Sequence, residues 1–122
     1  MIIAALSVAV LGCLFILFIG ARFLIVPKAA LAAFGVPEGE RRLRALTSIK
    51  GVRDITSGIV PLVVLFVAGQ HAFGWALLAA AITPIGDAII VTTHGGTLRQ
   101  ALSVHGATAA LLIVAGLVLA LA

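Results

Sequence analysis

With 122 residues, 63% of them hydrophobic and only 10% charged, the chain lies outside the ordinary soluble range, where roughly a quarter of residues are charged. Its length suits one domain and its apolar residues are spread along all of it, so a bilayer rather than water is the solvent to reason with. The net charge of +4 does not point to nucleic acid, because three arginines share one loop between apolar runs and no separate polar domain exists to carry a groove-reading element.

Only helices and closed barrels satisfy every backbone group within lipid. The apolar runs are long and lack the period-two alternation of barrel strands, so they predict an all-α fold. The expected architecture is an integral membrane four-helix bundle, one domain over residues 1–122, with a short interfacial helix between the first two spans.

The first span is expected over residues 2–26. Its start, Met1-Ile2-Ile3, has no positive leader region and the run is too long for a secretory signal core, so it reads as a retained span. Cys13, the single cysteine, lies deep within it and acts as a small hydrophobe without an internal disulfide partner. Arg22 comes one turn before the end, ahead of Pro27 and Lys28. Residues 29–34, set between Pro27 and the breaker Gly35-Val36-Pro37, form the short interfacial helix. Pro37-Glu38-Gly39-Glu40 then turns the chain towards Arg41, Arg42 and Arg44.

The second span is expected over residues 49–68, with a helical extension back towards Arg41 and a kink at Pro61. Gly69-Gln70-His71 is a short, formally uncharged connection and predicts a tight helical hairpin. The third span, over 74–93, opens with Trp75 at a membrane surface, and Pro84 loosens its backbone one turn before Asp87. After His94-Gly95-Gly96 the fourth span takes residues 101–122. Lys28, Arg41, Arg42 and Arg44 follow span one and Arg99 follows span three, while the loop after span two has neither lysine nor arginine. Both termini are therefore expected outside, with the basic loops in the cytoplasm of a bacterial inner membrane.

The run from Ile55 to Ala68 is too short to cross a hydrocarbon core of about 30 Å, which needs about 20 helical residues. The cluster Lys50-Gly51-Val52-Arg53-Asp54 must then lie inside the membrane or at its inner edge. At a rise of ~1.5 Å per residue, Asp54 and Asp87 sit ~8–9 Å deep, and His105 and Arg22 ~6 Å deep. At ~100° per residue, Thr47, Lys50, Asp54, Ser57, Gly58 and Pro61 share one stripe with Arg53 beside it. Thr83, Asp87 and His94 make a second stripe, and Ala101, His105, Thr108 and Leu112 a third.

Each of these residues also has a plain structural role. Lys50 and Asp54, four apart, can simply pair, and Arg53 with Asp87 can act as interhelical glue. Arg22 can snorkel to the interface, and His105 can be a hydrogen-bonded interior histidine. Gly51, Gly58 and Gly86 suit close helix contact. His94, next to Gly95-Gly96, reads as a loop-end residue, and His71 lies on the opposite side, away from the site. No tight metal-ligand spacing, no phosphate-cradling loop and no cofactor signature is visible.

The ordered motifs Arg22-Phe23-Leu24 with Pro27, Phe34-Gly35-Val36-Pro37, Lys50-Gly51-Val52-Arg53-Asp54, Pro84-Ile85-Gly86-Asp87 and His105-Gly106-Ala107-Thr108-Ala109 resemble a family of small bacterial and fungal four-span membrane proteins, a domain of unknown function. In outline they are also similar to the DoxX-type membrane proteins. The resemblance spans residues 20–112 and implies a four-helix integral membrane protein; it implies no activity.

Three functional readings follow. In the first, a cytoplasmic-side polar pocket binds a small lipophilic or amphipathic molecule. Asp54, Asp87 and His105 are its candidate catalytic groups for isomerase- or cyclase-type acid–base chemistry. Lys50, Arg53, Arg22, Ser57, Thr83 and Thr108 are its candidate binding groups. In the second, a homo-oligomer acts as a small proton-coupled transporter, although span one carries Arg22 where the small multidrug exporters have a glutamate. In the third, the chain is a non-catalytic membrane subunit or scaffold whose charges serve packing alone.

Overall fold

The computed structural model describes residues 1–34 and 43–122. Every element among them is helical: α1 (Ile2–Ile25), α2 (Pro27–Phe34), α3 (Leu43–Ala80), α4 (Ile82–Thr93), α5 (Leu98–Gln100), a π-helical turn (Ala101–Gly106) and α6 (Ala107–Leu121). The turn expected at residues 37–40, the breaker at 35–37, and Arg41 and Arg42 lie outside the described residues.

Local chemistry sets the breaks. Val26 precedes Pro27, whose ring disfavours helical geometry in its neighbour. Val26 accordingly takes φ −128° and ψ 67°, which ends α1, while Pro27 itself opens α2 with a φ already suited to a first turn. At the other basic connection, Thr97 caps α5 by accepting the Gln100 N–H at 3.1 Å.

The long segment α3 is not one rod. Arg53 and Asp87, 34 positions apart in sequence, meet at 2.9 Å, whereas a straight helix would hold them about 51 Å apart. The chain therefore doubles back, and it does so at Gly69, which takes φ 81° and ψ −179°. That backbone region is essentially reserved for glycine. The expected three-residue connection shrinks to this single residue, since Gln70 and His71 are already helical.

The two span prolines behave differently. Helical dihedrals persist through Pro61, with Gly69 the one departure inside α3. Pro84 has no N–H to offer the Ala80 carbonyl, and there the helix parts at Ala81 into α3 and α4. Ala81 still bridges the break, its N–H donating to Leu77 at 3.0 Å and its carbonyl accepting from Ile85 at 3.3 Å.

Glycines bring the helices into backbone contact. A methyl group on Gly20 would lie 2.7 Å from the Gly51 carbonyl, and one on Gly58 would lie 2.6 Å from that of Cys13, which locks α1 against the first half of α3. Beyond the reversal, a methyl on Gly74 would lie 2.4 Å from the Ala120 nitrogen of α6. Such small-residue seams are how helices associate where hydrophobicity cannot drive them together. Gly86, expected to join them, instead faces open space.

An apolar cluster of Ala9, Cys13, Phe73, Leu77, Ala115 and Leu119 fills the end of the molecule near the reversal. Outside it the distribution is that of a protein in oil. Phe66, Val67 and Ile82 are 84%, 82% and 71% exposed, whereas Asp54, Asp87, His105 and Thr47 are buried. Stretches Ile2–Ile25, Leu46–Thr93 and Leu98–Leu121 are long and apolar enough to cross a membrane.

Candidate functional site

The charged residues converge at the end opposite the apolar cluster. On α3, Lys50 and Asp54 lie one turn apart on one face, so the ammonium reaches Asp54 Oδ2 directly. Reversal at Gly69 returns Asp87 of α4 to the same level. Arg53 Nη2 donates to both Asp87 oxygens, at 2.9 and 3.0 Å. Longer contacts close the group: Lys50 Nζ lies 3.8 Å from Asp87 Oδ2, and Arg53 Nε lies 3.8 Å from Asp54 Oδ1. Two cations and two carboxylates thus share one cluster with no net charge. Lys50 also sits 4.7 Å above the ring of the buried Phe23, a cation–π contact from α1.

Burial within this cluster is uneven. The Asp54 side chain is 2% exposed and that of Asp87 8%, whereas Arg53 keeps 44% of its side chain exposed. Arg53 therefore neutralises Asp87 from the outer side of the bundle.

A cavity of about 510 Å³ runs from this cluster along the inside of α1. Asp54, Asp87, His105, Lys50, Arg22, Ser57, Thr83 and Thr108 all line it; Arg53, the remaining residue singled out by sequence, does not. The rest of the wall is nearly all apolar. It includes Gly12, Phe15 and Ile19 of α1, Leu77 beyond the reversal, Leu111 of α6, and Ala30 and Ala33 of α2. Sequence reasoning overlooked the α1 and α2 contributions, and also Phe23. Apart from Arg22 the α1 residues of the wall are ordinary span residues, so the available signal was the helical face that Arg22 marks.

The polar residues differ in what they have left to offer. Ser57 donates its hydroxyl to the Arg53 carbonyl and Thr108 to that of Val104, so each has committed its proton to its own helix. His105 is buried within the π-helical turn, a local widening that often accompanies functional positions. Arg22 is half-buried and forms none of the ion pairs found among the described residues. It brings one positive charge beyond the balanced cluster. His94, hydrogen-bonded within its own turn, and His71, set edge-on to Trp75 on the surface, are absent from the cavity wall. Among the described residues no group of three or more His, Cys, Asp or Glu is placed to hold a metal ion.

The α2 helix caps the polar end. Ala30 is buried against the cavity, and the Gln100 side-chain amide donates to the Ala32 carbonyl at 3.2 Å, tying α2 to α5.

Neither the curated proteins nor the solved structures include a match to the chain, and the DoxX-type outline rests on the motif resemblance alone. A family profile matches residues 13–119, from the middle of α1 almost to the end of α6 and through every charged residue of the cavity. The chain belongs to that family, described as a domain of unknown function (DUF4267).

Proposed function

We propose that the chain is a four-span protein of the bacterial inner membrane, with both termini outside. In this reading a pocket near the cytoplasmic face binds one small amphipathic molecule. The supporting observation is the two-part character of a single cavity. Its polar end carries Arg22, Lys50, Asp54, Asp87 and His105, and its remaining length is walled by residues such as Phe15, Ile19, Leu77 and Leu111. Ligand sites are typically mostly apolar with a few polar groups that orient the occupant, and a volume of about 510 Å³ lies within the usual range of ~300–1,000 Å³. Asp54, Asp87 and His105 are the groups that would handle protons if the occupant is also a substrate.

The test is to identify what travels with the protein. Purified in mild detergent and extracted, it should yield a lipophilic small molecule in stoichiometric amount. Gly12 lines the cavity and a Cβ there meets nothing within 4 Å, so Gly12→Leu fills the space without straining a helix contact. That variant should fold and lose the molecule. A wild-type protein that carries and binds no lipophilic compound would refute the reading.

A second reading has an observation of its own. Lys50 with Asp54 and Arg53 with Asp87 balance completely, as a packing network in a non-catalytic subunit would. Under that reading Asp54→Asn lowers stability but changes no ligand content, whereas under the first it also lowers the amount of bound molecule per folded protein.

A further inference from the structure

The cavity's charge and its opening together restrict its occupant. At the polar end, Lys50 and Arg53 are matched by Asp54 and Asp87 within contacts of 3.8 Å or less. Arg22, from a different helix, adds a guanidinium to the wall without joining any of these pairs. Counted together with Arg53, which meets Asp87 from outside the wall, the three cations and two carboxylates at this end leave one positive charge in excess among the described residues, and Arg22 is the cation outside the pairs. A charge held against apolar surroundings is costly unless a counter-charge arrives. The guanidinium offers planar, forked donors that match an oxyanion.

The opening is equally informative. Residues that line the cavity and are also exposed mark where it meets the outside. They include Val8 (44%), Gly12 and Phe15 (62%) on α1, Ala33 on α2, Val104 (40%) on the π-helical turn, and Thr108 and Leu111 (58%) on α6. Most of these lie on α1 and the last helix, so the mouth opens chiefly between them. Its rim is apolar apart from Thr108, whose hydroxyl is committed to the Val104 carbonyl, while α2 covers the polar end through buried Ala30 and the Gln100 bond. An entrance rimmed by Phe15 and Leu111 admits a hydrocarbon chain and repels a hydrated solute.

We infer that the site takes a single-chain amphiphile with a monoanionic head, such as a long-chain carboxylate, which slides in from the lipid between α1 and α6 and places its head on Arg22. This rests on the pocket reading above and specifies its ligand class. A cationic amphiphile would meet the surplus charge of Arg22 with repulsion. A neutral one would leave that charge uncompensated. A two-chain anionic phospholipid has the right charge but too much hydrocarbon for the space.

Native mass spectrometry of the full chain released from detergent micelles tests this with four probes: palmitate, hexadecanol, hexadecyltrimethylammonium and dipalmitoylphosphatidylglycerol. Palmitate should give a one-to-one adduct and the alcohol and the ammonium compound should bind at least tenfold more weakly. Arg22→Gln should weaken palmitate by about tenfold or more, the worth of one charge-assisted hydrogen bond, while leaving hexadecanol unchanged. Arg22→Lys should recover part of the loss. Far-ultraviolet circular dichroism checks that both variants fold. If palmitate binds Arg22→Gln as tightly as wild type, or if the three heads bind alike, the head-group inference falls. If Gly12→Leu still blocks those probes, the pocket itself stands. Preference for the phospholipid, with the same dependence on Arg22, would overturn the single-chain assignment. Failure of every probe to bind the wild-type protein would remove the pocket reading and this inference together.

Discussion

Replacing Asp54 by Asn is the sharpest single perturbation of the charged cluster, because the change is nearly isosteric and its cost is electrostatic. The Asp54 carboxylate is 2% exposed and the Lys50 side chain 15%, so neither group can turn to solvent when its partner is neutralised. Of the carboxylates in the cluster, Lys50 would keep Asp87 Oδ2, 3.8 Å away, an oxygen already shared with Arg53. Breaking one side of a buried pair typically costs about 3–5 kcal/mol, and Coulomb's law gives about 4 kcal/mol for unit charges ~4 Å apart at an effective dielectric of ~20. The two routes agree, so Asp54→Asn should destabilise by about 3–4 kcal/mol. Removing both charges with Lys50→Met and Asp54→Leu should return most of that loss, since an apolar pair of similar volume often replaces a buried ion pair at little cost. The double-mutant cycle is measured by reversible unfolding in mixed dodecylmaltoside and dodecyl sulfate micelles, followed by circular dichroism. If the double variant loses as much as the two single losses added together, Lys50 and Asp54 do not interact as described.

Asp87→Asn should cost less, about 1 kcal/mol, because Arg53 keeps 44% of its side chain exposed and can rearrange; the same unfolding assay ranks the two carboxylates. Gly74→Ala should destabilise by about 1–3 kcal/mol, since its methyl would press on backbone atoms at 2.4 and 2.8 Å. Gly86→Ala, with nothing within 4 Å, should be neutral or slightly stabilising, and equal losses at both positions would sink the seam argument. Gly69→Ala faces no steric neighbour, so its expected loss of about 1–3 kcal/mol would be purely conformational. Thermal melting of that variant in detergent, with Gly12→Ala as a helical control, separates the two kinds of glycine.

The charged layer was readable because charges are rare in this composition and helical spacing is rigid. A four-residue interval gave the Lys50–Asp54 pair, and a common depth counted from each helix end brought Arg53 and Asp87 together. What stayed hidden were choices that packing makes among near-equal backbones. A connection of one residue at Gly69 and a helix already under way at Gln70 depend on how α3 folds back, which no neighbouring residue type announces. The π-helical turn at Ala101–Gly106 is likewise a register adjustment between helices, without a signature side chain. The cavity wall on α1 was invisible for a simpler reason. Between Ser7 and Arg22 that span has no charged or hydroxyl side chain, so the face turned to a void and the face turned to lipid look alike. Arg53 shows the limit of angular reasoning: it was placed beside the stripe, and that one-step offset carries it from the cavity to the bundle's outer side.

The glycine seams have a mechanical consequence. Where Gly20, Gly58 and Gly74 press backbone on backbone, α3 cannot slide or tilt against α1 or α6 without collision, so these three helices behave as a stiff chassis. The elements beside the polar end are held otherwise: α2 by buried Ala30 and a single side-chain bond from Gln100, and the chain leading into α6 by a widened turn at Ala101–Gly106. Compliance is thus concentrated around Arg22 and His105, and any breathing that lets a guest in or out must bend the molecule there, leaving the far end unmoved.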